Sequence, residues 1–112
     1  MKKDWKTASL RPNTRKILEH ISQLHHNPKI KYIVLFGSEA RGEAILTSDV
    51  DIALISDEPL NIAEKQEFNS IFNDQHFPEY RIINTLTNDL NTNNFMNVSY
   101  HIKKDGLVIY ER

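Results

Sequence analysis

Tyr32-Ile33-Val34-Leu35-Phe36-Gly37-Ser38-Glu39-Ala40-Arg41-Gly42 leads, through a short polar segment, into Ser48-Asp49-Val50-Asp51-Ile52-Ala53-Leu54-Ile55. Read physically, this is a strand, a glycine-led turn, and a second strand that opens on two aspartates. In a strand, residues two apart point to the same face. Asp49 and Asp51 therefore project together, while Val50 and Ile52 project into a core. Two carboxylates ~6.5 Å apart repel by roughly 2–3 kcal/mol at an effective dielectric near 20. A cation between them removes that repulsion. Hard oxygen ligands favour Mg²⁺ or Mn²⁺, held by one or two carboxylates plus substrate phosphates. Such an ion activates an attacking oxygen and stabilises a leaving pyrophosphate.

The turn fits the same chemistry. Gly37 has no side chain, so its backbone can approach a phosphate closely. Ser38 offers a hydroxyl and an N–H to the same oxygens, and a helix starting here would add its first amides. Arg41 can pair with a phosphate through its fork, and Gly42 permits a tight bend. Taken singly, each piece is ordinary: a Gly-Ser turn is common, Asp-x-Asp can be a solvated edge, and Arg41 can be an exposed helix residue. The order and flanks of the whole set carry the specificity. The Gly-Lys-Ser/Thr ending of a P-loop is lacking.

Working outward, Asn13 or Thr14 is expected to cap a helix to about residue 25. Its apolar stripe is Ile17, Leu18, Ile21 and Leu24. Ile30 to Phe36 reads as a strand buried on both faces. Asp49 to Ile55 is the second strand. Asn61 and Glu64 resemble a capping box that starts a helix to about Asn73, with Phe68, Ile71 and Phe72 inward. Phe77-Pro78 is a connection, and Tyr80 to Leu86 a third strand. The asparagine-rich piece from 88 to 94 is a loop or a frayed helix start. Phe95, Val98 and Ile102 mark a last helical stripe, which Gly106 terminates. Leu107 to Tyr110 is a terminal strand or extended tail. Residues 1–12 read as a loose polar arm whose Trp5 covers an apolar edge of the domain or a partner, and residues 13–112 as one domain. His20, His25, His26, His76 and His101 are expected at the surface, because none has an evident metal-binding companion.

The composition sets outer limits. With 112 residues there is room for one modest core. The net charge of −1 argues against strong nonspecific nucleic-acid binding. No apolar run is long enough for a membrane span, and the chain has no cysteine, which fits a cytoplasmic protein.

Gly37-Ser38, Arg41-Gly42 and Ser48-Asp49-Val50-Asp51-Ile52 together resemble the signature of the DNA polymerase β-like nucleotidyltransferases. The short length makes the chain similar to their minimal nucleotidyltransferase branch. The resemblance implies a small α/β (α+β) domain, a mixed sheet of about three to four strands flanked by helices. It further implies ATP or another nucleoside triphosphate over Gly37-Ser38 and Arg41, with Asp49 and Asp51 as catalytic metal ligands. Relatives of this size are commonly antitoxins of a helical HEPN-type ribonuclease toxin, and some inactivate it by transferring AMP to a hydroxyl. The expected protein is thus a Mg²⁺-dependent nucleotidyltransferase that forms a hetero-oligomer with its toxin.

One departure stands out. The family's third carboxylate lies on the third strand, and Tyr80-Arg81-Ile82-Ile83-Asn84-Thr85-Leu86 has no aspartate. Asn84 is neutral, and Glu79 is acidic but early. General-base assistance is worth ~10²–10⁴-fold in rate. The alternative is therefore a weak or inactive nucleotidyltransferase that neutralises its toxin by direct binding. Transfer to a small molecule is a third reading, and the chain leaves little room for a separate acceptor pocket.

Overall fold

The computed structural model describes the chain apart from residues 25, 26, 78, 92, 93 and 95. Four strands, β1 (Ile30–Phe36), β2 (Val50–Ser56), β3 (Tyr80–Leu86) and β4 (Leu107–Glu111), form a sheet in the order β3-β2-β1-β4. β1 runs antiparallel to β2 and β4, whereas β2 and β3 are parallel. The parallel pair needs a crossover, which α3 (Ile62–Asp74) supplies.

Both faces of the sheet are covered, which explains the near-continuous apolar runs of β1 and β2. Ile33, Leu35, Val50, Ile52 and Leu54 belong to one core cluster with Ile17, Leu18 and Ile21 of α1 (Pro12–Leu24) and Phe68 and Phe72 of α3. Val34, Phe36, Ala53 and Ile55 belong to the other, with Ile102 of α4 (Val98–Asp105). The expected mixed sheet flanked by helices is the architecture found. No helix among the described residues is long and apolar enough to cross a membrane.

Several local expectations need correction. α1 starts at Pro12, where the missing N–H is harmless and φ is preset. Thr14 does not cap it: its hydroxyl donates to Glu39. β2 starts at Val50, one residue after Asp49. Val98 is exposed because α4 begins there, capped by Asn97, and turns Ser99 and Ile102 inward. Thr87–Leu90 forms a 3-10 helix with Leu90 buried. The stripe position Phe95, the side chain of Leu24, residues His25 and His26, and Pro78 of the connection lie outside the described residues. Gly106 follows α4 with φ −64°, so it is no left-handed stop. A Cβ there would overlap the Ile102 carbonyl oxygen and Val34 Cγ1, so this glycine lets α4 lie close against β1.

The polar N-terminal segment is not loose. Lys2 bridges Leu107 in parallel, its N–H donating to the Gly106 carbonyl at 2.8 Å and its carbonyl accepting from Val108 at 2.7 Å. Trp5 is 6% exposed and joins the larger core cluster, covering an apolar edge of the chain's own fold.

The capping box of α3 is present: Asn61 accepts from the Glu64 N–H at 2.8 Å and Glu64 accepts from the Asn61 N–H at 3.0 Å. Hydrogen bonds from the Asn61 backbone, Lys29 and Asn27 hold the Glu64 carboxyl down at about 2, below its ordinary 4.5. A depressed carboxyl stabilises the fold above its unfolded value, and this contribution disappears as pH falls through the folded value. Urea titrations of wild type and Glu64→Gln should therefore differ fully above pH 4.5 and converge as pH falls towards about 2. A difference independent of pH would refute this assignment.

Candidate active site

The chain leaves β1 at Phe36 and enters α2 (Gly37–Ala40) through Gly37 at φ +77°. Only glycine adopts that conformation without strain. Phe36 is also the ladder partner of Asp51. Asp51 therefore lies directly against the turn: a Cβ on Gly37 would overlap Asp51 Oδ2 and stand 3.2 Å from its Cγ. The turn closes on itself, with Arg41 N–H donating to the Gly37 carbonyl at 3.2 Å and Glu43 N–H to the Ser38 carbonyl at 2.9 Å. Ser38 is half-buried, and Gly42 bends the chain at φ +73°.

Asp51 is half-buried and Asp49 exposed. Burial raises the Asp51 carboxyl from its ordinary value of 3.8. The charge and hydrogen bond of Arg81 pull it back, the charge of Asp49 raises it, and that of Arg41 lowers it. Both Asp49 and Arg41 are thus close enough to be felt at Asp51. Arg41 itself pairs with Glu43 at 2.8 Å, an exposed contact of the kind that contributes little.

The third strand resolves an ambiguity of the sequence. The β2/β3 register puts Arg81 beside Asp51, and Arg81 Nε donates to Asp51 Oδ1 at 3.1 Å. Asn84 points to the opposite face. Its Nδ2 donates to the Leu54 carbonyl and to Ser56 Oγ, and its Oδ1 accepts from the Leu60 N–H, each at 2.9 Å. Asn84 is therefore a structural residue. Glu79 precedes β3; its carbonyl accepts from the Val50 N–H at 3.2 Å. With Arg11, Thr14, Thr47, Ser48 and Phe77 it lines a cavity of about 400 Å³.

Two functional neighbours escaped sequence reasoning. Glu39, 2% exposed inside α2, accepts from Arg11 Nε at 2.7 Å and from Thr14. Arg11 also donates to the carbonyls of Ile45 at 2.9 Å and Ser48 at 3.0 Å. One guanidinium thus ties the glycine turn to the loop that delivers Asp49. Ser48 Oγ accepts from the Ile45 N–H at 2.9 Å and shapes that same loop.

Among the described residues, no group of three or more His, Cys, Asp or Glu side chains is placed to hold a metal ion. By donor chemistry, the carboxylates of Asp49 and Asp51 could hold one hard divalent cation only with further oxygen ligands from outside the chain. One oxygen of Asp51 already receives the Arg81 guanidinium, which disfavours a second ion there.

A mixed four-stranded sheet with a glycine turn packed against Asp51 of β2, and Asp49 just ahead of that strand, is the framework of a nucleotidyltransferase domain. The chain belongs to the family described as polymerase beta, nucleotidyltransferase, which residues 19–112 match. A candidate protein adenylyltransferase of Methanocaldococcus jannaschii is 36% identical over 56 residues, covering 50% of this chain and 57% of that protein. The match thus spans little more than half of that relative. Among solved structures, a toxin–antitoxin crystal structure with AMP-PNP aligns with a TM-score of 0.61 at 20% identity, over 89% of this chain and 74% of the other. A tri-AMPylated Shewanella oneidensis HEPN toxin in complex with its MNT antitoxin gives 0.56 at 16% identity, over 88% and 72%. At these identities the likeness is one of fold.

Proposed function

We propose that the chain is the antitoxin of a helical HEPN-type toxin and transfers AMP from ATP to a hydroxyl of that partner. The observation that carries this reading is the Asp51 carboxylate packed on Gly37, with Asp49 two residues ahead. The fold likeness to toxin–antitoxin complexes, one of them holding AMP-PNP, supports the choice of partner and nucleotide. Gly37, Ser38 and Arg41 bind the triphosphate, and Asp49 and Asp51 hold Mg²⁺, with Mn²⁺ as a substitute. The ion, when bound, neutralises phosphate charge and favours departure of pyrophosphate. The acceptor oxygen forms a bond to the α-phosphorus as the bond to pyrophosphate breaks, and the hydroxyl proton passes to a base. Glu79, whose carbonyl accepts from the Val50 N–H next to Asp49, is the acidic residue we assign to that role. We place the pair of proteins in the cytoplasm.

Intact mass of a HEPN-type partner, after incubation with this chain, ATP and Mg²⁺, tests the proposal. A gain of one or more AMP units, lost in Asp49→Asn, is expected. A second reading, neutralisation by direct binding, is favoured by Arg81, which faces Asp51 where a third carboxylate would be useful. No mass gain, together with inhibition that persists without nucleotide and in Asp49→Ala/Asp51→Ala, would establish that reading over the first.

A further inference from the structure

We propose that Arg81 is a phosphate ligand of the nucleotide site, carrying charge neutralisation that a second divalent ion would otherwise supply. The inference rests on the nucleotide-binding reading above. Arg81 already stands beside Asp51 without a ligand. Its Nε is committed to Asp51 Oδ1 at 3.1 Å, and its guanidinium stands 5.6 Å from the centre of the Phe36 ring. Those two neighbours flank Gly37, one by chain and one by contact. A guanidinium anchored through Nε still offers its two terminal nitrogens as a planar fork, the geometry that suits a phosphate. Its side chain is 57% exposed, so that outer end faces the solvent from which a nucleotide would come.

Charge decides what else can bind. Asp49 and Asp51 supply two negative charges, and Arg81 returns one of them. An ion shared by Asp49 and the remaining Asp51 oxygen is compatible with that balance. A second ion on the β3 side of Asp51 would meet the guanidinium and be repelled. Arg41, the arginine the sequence nominates, also acts on Asp51 by its charge, but its Nε pairs with Glu43, whereas Arg81 hydrogen-bonds Asp51 directly.

The test is calorimetric titration of the full chain with a non-hydrolysable ATP analogue, in Mg²⁺ and again in EDTA. Wild type should keep measurable affinity in EDTA, weakened by no more than about tenfold. Arg81→Ala should lose about ten- to a hundredfold in EDTA, the scale of hydrogen bonds to a charged group, and Arg81→Lys should recover part of that loss. Arg81→Asp, with the analogue present, should raise bound Mn²⁺ from about one to about two per chain. Folding of each variant is checked by its urea transition. Equal EDTA affinities for wild type and folded Arg81→Ala would overturn the proposal, as would wild-type binding that vanishes in EDTA while strong in Mg²⁺. Absence of binding in both media would overturn the nucleotide reading itself, and this inference with it.

Discussion

Gly37→Ala should abolish useful nucleotide binding while leaving a folded, weakened domain. Two effects add. A non-glycine residue at φ +77° pays roughly 1–2 kcal/mol for the left-handed conformation. The new methyl also overlaps Asp51 Oδ2, so the carboxylate must leave its position. That move gives up the charge-assisted bond from Arg81, about 1.5–3 kcal/mol. A total of about 2.5–5 kcal/mol, if felt at the site, is a loss of roughly sixtyfold or more in affinity. Gly42→Ala provides the comparison: φ is +73° and nothing lies within 4 Å of the added Cβ. It should pay the backbone cost alone. Urea unfolding and titration with the ATP analogue, run on both variants, separate the two effects. If the two alanine variants bind equally well, the contact between Gly37 and Asp51 has no bearing on the site.

The second large effect is expected at Glu39. Its carboxylate is 2% exposed and receives Arg11 and Thr14. Glu39→Ala leaves the Arg11 guanidinium, 25% exposed, and the buried Thr14 hydroxyl without that acceptor. Removing one partner of such a pair costs about 3–5 kcal/mol. Small domains have only ~5–15 kcal/mol in total, so the urea midpoint should fall steeply. Glu39→Gln keeps the shape and one acceptor oxygen, and should lose less. Arg11→Ala should add a functional symptom, because Arg11 also holds the Ile45 and Ser48 carbonyls ahead of Asp49. AMP transfer by that variant should fall further than its folded fraction. A Glu39→Ala midpoint within experimental error of wild type would refute the expected cost, because an uncompensated buried partner is costly even where the intact pair contributes little net.

The parts of this fold that are legible in sequence are those fixed by short-range patterning. The apolar runs of β1 and β2 announce strands covered on both faces, Asn61 and Glu64 announce the start of α3, and Gly37 announces the turn that leaves β1. What stayed hidden depends on pairing between distant segments. Whether Asp51 faces Arg81 or Asn84 follows from the β2/β3 register, and that register is set by packing of α3 and the core. One residue of slip would have exchanged the faces of β3. Glu39 was illegible for another reason. A glutamate beside a serine and an alanine in a polar turn reads as solvent-exposed, and only the arrival of Arg11, 28 residues earlier in the chain, makes its burial tolerable. Thr14 resembles a helix cap in sequence, but its hydroxyl goes to that same glutamate and α1 starts two residues earlier at Pro12.

The strand order has a consequence in time. β1 borders β4, with Val34 paired to Val108, so one edge of this apolar strand has no native partner until residue 108 has been added. At ~5–20 residues per second, that delay is roughly 4 to 15 seconds. Over that interval β1 presents an open row of amides and carbonyls beside Ile33, Val34 and Leu35. Nascent chains of this domain are therefore most exposed to chaperones, and to one another, in the moments before translation of β4.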